Sequence, residues 1–302
     1  MSTVKQDTRT RDILGTSALR PDGVAKVMGS FSFSSDMWAE NMLWGATLRS
    51  PHPYARIISI DTTAALLISG VSAVITAQDV PGKATYGLIS ADQPVFASDF
   101  VRYMGEPVAA VAADHPETCR RALAAIIVNY EVLTPVVDPE LAMLVTTEQI
   151  HPDGNLIRHQ KIICGDPHIS GDITVEGHYT IGMQDQAFLG LEAAMAFPDS
   201  GGNGVELHIA TQWLHEDRGQ IAACLKLPED NVRLVLGGVG GAFGAREDIS
   251  LQVHCCLLAL RTGRPIKMQY SREESFFGHV HRHPAKIWMK HHATQEGKIV
   301  KV

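Results

Sequence analysis

Residues 236–250 read LGGVGGAFGAREDIS, five glycines in fifteen positions, set between a β-branched strand at 232–236 and an apolar helix beginning near Ile249. Glycine lets a backbone take positive φ and approach a partner closely, and N–H groups gathered where a strand runs into a helix favour an anion. A dinucleotide fingerprint needs G-x-G-x-x-G, but after Gly238 and Gly240 the third position is Phe243. A P-loop needs Gly-Lys-Ser/Thr, and here the run continues Gly244-Ala245-Arg246-Glu247. From the glycines alone, a tight turn holding no ligand stands equally open.

The rest of the chain bounds what such a loop can serve. Its 302 residues are 45% hydrophobic and 20% charged, enough for a core and long enough for two domains. A formal net charge of −7 gives no electrostatic reason to seek nucleic acid or an anionic membrane. No run is apolar over the roughly 18 residues of a bilayer span, and the polar N-terminus lacks a signal-peptide core. Five cysteines, with no C-x-x-C pair, indicate a reduced cytoplasmic protein without disulfides or a thiolate metal site.

Patterning divides the chain into a polar arm at 1–19, a mixed strand–helix domain at 20–138, a proline-punctuated linker at 139–170 and a second domain at 171–302. Ser50-Pro51-His52-Pro53 separates two strand-like runs, since proline is excluded from a strand interior. Residues 71–76 and 107–113 read as buried strands, and Pro116 opens a helix whose end near Val128 turns strand-like. In the second domain, strands at 204–210 and 232–236 flank a helix at 214–225. A strand at 266–270 follows the apolar helix at 249–260, and Glu296-Gly297 turns a last hairpin. That hairpin carries no closing signal, so the second domain is expected to be incomplete.

The segment GGAFGARE resembles the G-G-G-F-G-G-K-E signature of the molybdenum hydroxylases, the family of xanthine dehydrogenase and aldehyde oxidase. Ala210-Thr211-Gln212 is similar to the family's S/A-T-Q segment. RPDGVAKVMG, LRSPHPYARI, GVSAVITAQD and VRYMGEPVAAVAA resemble its α/β hammerhead domain in order and spacing, and MQDQAFLGLEAAMA the entry to its molybdenum-binding domain. TQWLHEDR and REESFFGHVHRHP look closest to bacterial xanthine dehydrogenase large subunits. The implied fold class is α+β, an α/β hammerhead domain followed by an incomplete first molybdopterin-binding domain.

The resemblance implies a molybdenum-pterin cofactor, as molybdopterin or its cytosine dinucleotide form, and hydroxylation of a purine such as xanthine or hypoxanthine with oxygen from water. It implies iron–sulfur clusters and FAD carried by an iron–sulfur subunit and an FAD subunit. Gln212 matches the glutamine that reaches an oxygen ligand of molybdenum; Gly240, Gly241, Ala242, Phe243 and Gly244 match the loop facing the cofactor; Glu247 matches the glutamate that orients the substrate. Phe243 also fits a core aromatic. Ala242 and Ala245 replace glycines of the signature, so both must be right-handed or strained. Arg246 replaces a common lysine, keeping its charge but not its geometry.

No catalytic base falls within these residues. The family's glutamate base and substrate-polarising arginine are expected beyond Val302, so the chain alone is expected to be inactive. An aldehyde oxidoreductase-type subunit and an inactive docking fragment are the alternatives. His279, His281 and His283 would share one face of an extended strand and could hold zinc. That reading is set aside here, because the family carries a similar Arg-His stretch without a metal.

Overall fold

The computed structural model describes Gly15, Ser17 and residues 19–302, so the expected arm at 1–19 lies almost wholly outside the described residues. In the first segment the strands are β1 (Leu43–Arg49), β2 (Ala55–Asp61), β3 (Val71–Thr76), β4 (Thr85–Tyr86), β5 (Gln93–Pro94), β6 (Phe100–Val101), β7 (Pro107–Ala113) and β8 (Ile127–Val132). Its helices are α1 (Gly23–Val27), α2 (Thr63–Leu66) and α3 (Pro116–Ala125), and α4 (Pro139–Ala142) follows. The second segment contributes β9 (Ile173–Ile181), β10 (Ala193–Pro198), β11 (Val205–Ile209), β12 (Val232–Leu236), β13 (Ile266–Gln269), β14 (Ala285–Ala293) and β15 (Ile299–Lys301). Its helices are α5 (Leu214–Leu225), α6 (Gln252–Thr262) and α7 (Arg272–Gly278).

One seven-stranded sheet runs through both segments in the order β12-β11-β10-β13-β1-β7-β3. The join is the parallel pair β1–β13, in which Leu43 faces Ile266. The two patterned segments therefore share a sheet and one core cluster, while two further clusters are made of first-segment residues alone. Leu43, Ile75 and Ala110 from the first segment cluster with Ile221, Leu258 and Ile266 from the second. Residues 156–170 of the expected linker are all exposed and take no part in it.

Strand β7, PVAAVAA, is buried at every residue, which is what a strand covered on both faces requires. Its residues divide among three clusters: Ala110 and Ala112 face the α6 side, Ala109, Val111 and Ala113 face α3 with Cys119 and Ala122, and Val108 packs with Ala55, Ala97 and Val101. The small side chains let both helices sit close to the sheet. His115 caps α3, its Nδ1 accepting from the Glu117 N–H at 3.1 Å, and Pro116 takes the first helical position. Helix α5 ends at Lys226 and α6 at Gly263, both left-handed.

Two three-stranded sheets, β6-β2-β8 and β15-β14-β9, flank this core, and β4 pairs with β5. In the second, all nine residues of β14 pair antiparallel with β9, and β15 forms one edge. For the site, the feature that matters is β11-α5-β12. Strands β11 and β12 are parallel, with Val205 facing Val232 and Ile209 facing Leu236, so α5 is the crossover and both strands end at the same edge.

Candidate functional site

The chain leaves β11 into Thr211 and Gln212 and leaves β12 into the glycine loop. Ligands favour such a rim, at the carboxyl ends of neighbouring parallel strands. The two exits are tied together at once: Gly237 N–H donates to the Ile209 carbonyl at 2.8 Å, and Gln212 N–H donates to the Arg246 carbonyl at 3.0 Å. Gln212 is exposed, and so is the loop tip at Phe243 and Gly244.

The loop is pinned from beneath by residues 188–190. Gly190 N–H donates to the Gly240 carbonyl at 3.0 Å, and a Cβ on Gly240 would stand 2.7 Å from the Gly190 Cα. Glycine at these two positions is set by close approach. Arg246 is buried between the same pieces: its Nε donates to the Gly241 carbonyl at 2.9 Å, an Nη donates to the Gly190 carbonyl, and its guanidinium lies 4.4 Å over the Phe188 ring. Burial holds its pKa below the usual arginine value, with Glu192 opposing. The arginine that replaces the common lysine thus serves as a clamp, whose planar fork reaches two carbonyls at once.

Positive φ falls on Gly241, Phe243 and Gly244, and neither Ala242 nor Ala245 adopts it. The alanines are accommodated, and the strain expected of them falls instead on Phe243, at φ 52°. Phe243 is not a core aromatic: it is 76% exposed and stands on the rim. Among the described residues, the N–H groups of Gly241, Ala242, Phe243 and Gly244 donate to no protein acceptor. The loop therefore offers a row of free donors at an exposed edge.

A cavity of about 820 Å³ opens beside the loop, lined by Phe243, Gly244, Glu247 and Asp248 on one side and by His279 and His281 on another. Burial, then the neighbouring Glu247, raises the pKa of Asp248. Behind the rim, Asp217 in the first turn of α5 is fully buried beside Thr211 and Gln252, and burial pushes its carboxyl up to about 6. A smaller cavity of about 210 Å³ lies under the loop, between Gly238, Gly240, Arg246 and residues 33–36.

The residues singled out by sequence, Gln212, 240–244 and Glu247, meet at one rim. Of the histidine trio, only His279 and His281 come together, and His283 is exposed. Their companions are Asp185 and Glu192 from the loop before β10. Sequence reasoning missed both, because the contact joins stretches about 90 residues apart.

Residues 28–134 match the family model described as aldehyde oxidase and xanthine dehydrogenase, a/b hammerhead domain, and residues 150–302 match the molybdopterin cofactor-binding domain. The chain belongs to the molybdenum hydroxylase family of xanthine dehydrogenases and aldehyde oxidases, with a hammerhead domain followed by a molybdopterin-binding domain. It is 36% identical over 287 residues to a probable xanthine dehydrogenase subunit of Bacillus subtilis, covering 94% of this chain and 38% of that protein. It is 36% identical over 290 residues to the nicotinate dehydrogenase large molybdopterin subunit of Eubacterium barkeri, covering 95% of this chain and 68% of that protein. The aldehyde oxidoreductase of Desulfovibrio gigas superposes with a TM-score of 0.87 at 27% identity, over 93% of this chain and 33% of that chain. The chain thus spans well under half of two of these three relatives. Among the described residues, no helix is long and apolar enough to cross a membrane.

Proposed function

We propose that this chain holds a molybdenum-pterin cofactor on the rim formed by Gln212 and residues 240–244. It would serve as the cofactor-binding part of a cytoplasmic hydroxylase acting on a purine such as xanthine or hypoxanthine, working with iron–sulfur and FAD subunits. The observation that carries this is the juxtaposition of the two strand exits, with Gln212 N–H bonded to the Arg246 carbonyl beside a loop of free N–H donors. When bound, the cofactor supplies the redox chemistry of hydroxylation, with water as the oxygen source.

The chain's own residues bind and orient. The N–H groups of 241–244 suit the electronegative oxygens and ring acceptors of a pterin, and the Gln212 amide can donate to an oxygen beside the metal. Phe243 projects from the tip, where its ring would shield a bound group from water. Glu247, half-buried on the cavity wall, accepts from ring N–H groups of a heterocycle; the thiolate-free donor set leaves metal ligation to the cofactor.

An aldehyde as substrate is the second reading, favoured by the superposition on the D. gigas aldehyde oxidoreductase. The test uses the native, full-length protein, purified with its partners and assayed for bound molybdenum. Molybdenum should be present in the wild type and lost from a Gly241→Val variant. Glu247→Gln should retain the metal while raising KM for xanthine. Absence of molybdenum from the native protein overturns the proposal, and turnover of aldehydes but not of purines replaces the first substrate class with the second.

A further inference from the structure

Beside the cavity that His279 and His281 line, Asp185 converges with these two histidines, and Glu192 stands next to His279. Asp185 Oδ2 lies 3.0 Å from His279 Nε2 and 3.3 Å from His281 Nε2, and Glu192 Oε1 lies 3.8 Å from His279 Nε2. The His279 side chain is 1% exposed and that of Glu192 3%. Among the described residues, Asp185 Oδ2, His279 Nε2 and both Glu192 carboxylate oxygens are buried without a hydrogen-bond partner.

The remaining polar atoms are already used, which fixes what these can do. His279 Nδ1 lies 2.6 Å from the Val280 carbonyl, so it carries the proton and leaves Nε2 with a lone pair aimed at the carboxylates. Asp185 Oδ1 accepts the Ala187 N–H at 2.6 Å, which orients Oδ2 into the cluster. The His279 and His281 rings stack at 5.0 Å and 19°, and Phe188 packs on His279 with centroids 5.2 Å apart. The result is that His279 Nε2 and the Asp185 and Glu192 carboxylates are acceptors facing one another, while His281 Nε2 donates to the Phe276 carbonyl. Like-signed acceptors left unanswered in a low-dielectric site are costly. A proton on His279 would answer Asp185 but leave both Glu192 oxygens unpaired. A divalent cation answers Asp185 Oδ2 and His279 Nε2 together and places positive charge beside Glu192.

We propose that Asp185, His279 and His281 form a binding site for a first-row divalent metal ion of the zinc class, with the Glu192 carboxylate beside His279 adding negative charge. Tetrahedral zinc with bonds of about 2.0–2.2 Å puts its donor atoms roughly 3.3–3.6 Å apart. The two distances from Asp185 Oδ2 lie close to that edge length, so Asp185, His279 and His281 supply three ligands and leave the fourth position to water. The Nδ1–H bond of His279 to a carbonyl is the outer contact that metal-bound histidines keep. On binding, His281 Nε2 gives up its 3.0 Å hydrogen bond to the Phe276 carbonyl, and its proton passes to Nδ1 through solvent, freeing the lone pair for the metal. The site is independent of the molybdenum reading, since it uses none of Gln212, 240–244 or Glu247.

The experiment takes the native, full-length protein, strips it with a chelator and titrates it with Zn2+, and separately with Co2+ as a spectroscopic probe. We expect about one Zn2+ per chain at this site and the visible absorption of four-coordinate Co2+. Asp185→Asn and His281→Gln should each weaken binding at least about tenfold, by analogy with the 10–100-fold losses for outer-shell changes. His283→Gln should bind as the wild type. His281 is partly exposed, so its variant keeps the test open if the Asp185 change impairs folding, which circular dichroism reports. Failure to bind near one equivalent, or binding unaltered in both variants, overturns the proposal. Molybdenum content measured on the same samples separates that outcome from failure of the cofactor reading.

Discussion

Gly190 and Gly240 meet backbone to backbone, with the Gly190 N–H on the Gly240 carbonyl at 3.0 Å and no room for a Cβ on either. Gly240→Ala places a methyl group against backbone that cannot rotate away. It should cost about 1–3 kcal/mol, the usual penalty for overpacking, and reduce bound molybdenum. Gly201→Ala, in an exposed turn where the nearest atom is a side-chain nitrogen at 3.4 Å, should change little. Urea unfolding and metal analysis of the two variants check this.

Arg246 joins the glycine loop to residues 188–190 through two carbonyls. Arg246→Gln should cost about 1–3 kcal/mol for each carbonyl left buried and unpaired. Arg246→Lys should recover little, because an ammonium lacks the fork that reaches both. Unfolding midpoints across the series measure this; equal stability of the Lys variant and the wild type would show that charge alone suffices.

Two buried groups give stability opposite pH slopes. His254, enclosed against Phe96 with Nε2 2.7 Å from the Val95 carbonyl, is driven down to about 4 by burial. Its folded pKa lies below the free value near 6.5, so protons bind the unfolded chain first. Stability falls by roughly 3 kcal/mol as pH drops from about 6.5 to 4. Glu106 is 1% exposed and pushed up to about 7 by burial. Its contribution is full below about 4.5 and is lost, by roughly 3 kcal/mol, as pH rises through 7. Asp217, raised to about 6, acts in the same direction. His254→Gln should flatten the acid limb and Glu106→Gln the neutral one, measured by denaturant unfolding across a pH series.

The exposed run at 156–170 joins two segments that share a sheet. Limited proteolysis should cut there first, and the two products should remain associated through β1–β13. Co-elution on size-exclusion chromatography checks this, whereas separable folded fragments would show that each half closes its own core. Leu258→Ala, in the cluster common to both, should cost about 2–5 kcal/mol and loosen both products together.

Much of this architecture was legible where local signals were complete. β3, β7, α5 and β12 fall where turn residues and apolar runs set them, and the glycine loop marked the rim. Strand β10 was missed: EAAMAFP has no alternation, because its residues 193–196 are buried throughout, and a short apolar run does not declare its conformation. Helix α7 was missed because seven residues give too few turns for a period, although Ser271 caps it by accepting the Glu274 N–H at 3.0 Å. The β1–β13 join was not legible for a related reason: strand pairing across the whole chain leaves no mark on local pattern. The Asp185–His279 contact was invisible for the same cause, since it exists only after β10 and α7 are placed.

The pairing of Leu43 with Ile266 also sets an order of events during synthesis. The edge of β1 that receives β13 stays open until the ribosome has made roughly 220 further residues. At about 5–20 residues per second, that leaves an apolar strand edge unmatched for roughly 10–40 s. For that interval protection of the open edge, as by a holding chaperone, should govern the yield in a host more than the stability of the finished fold does.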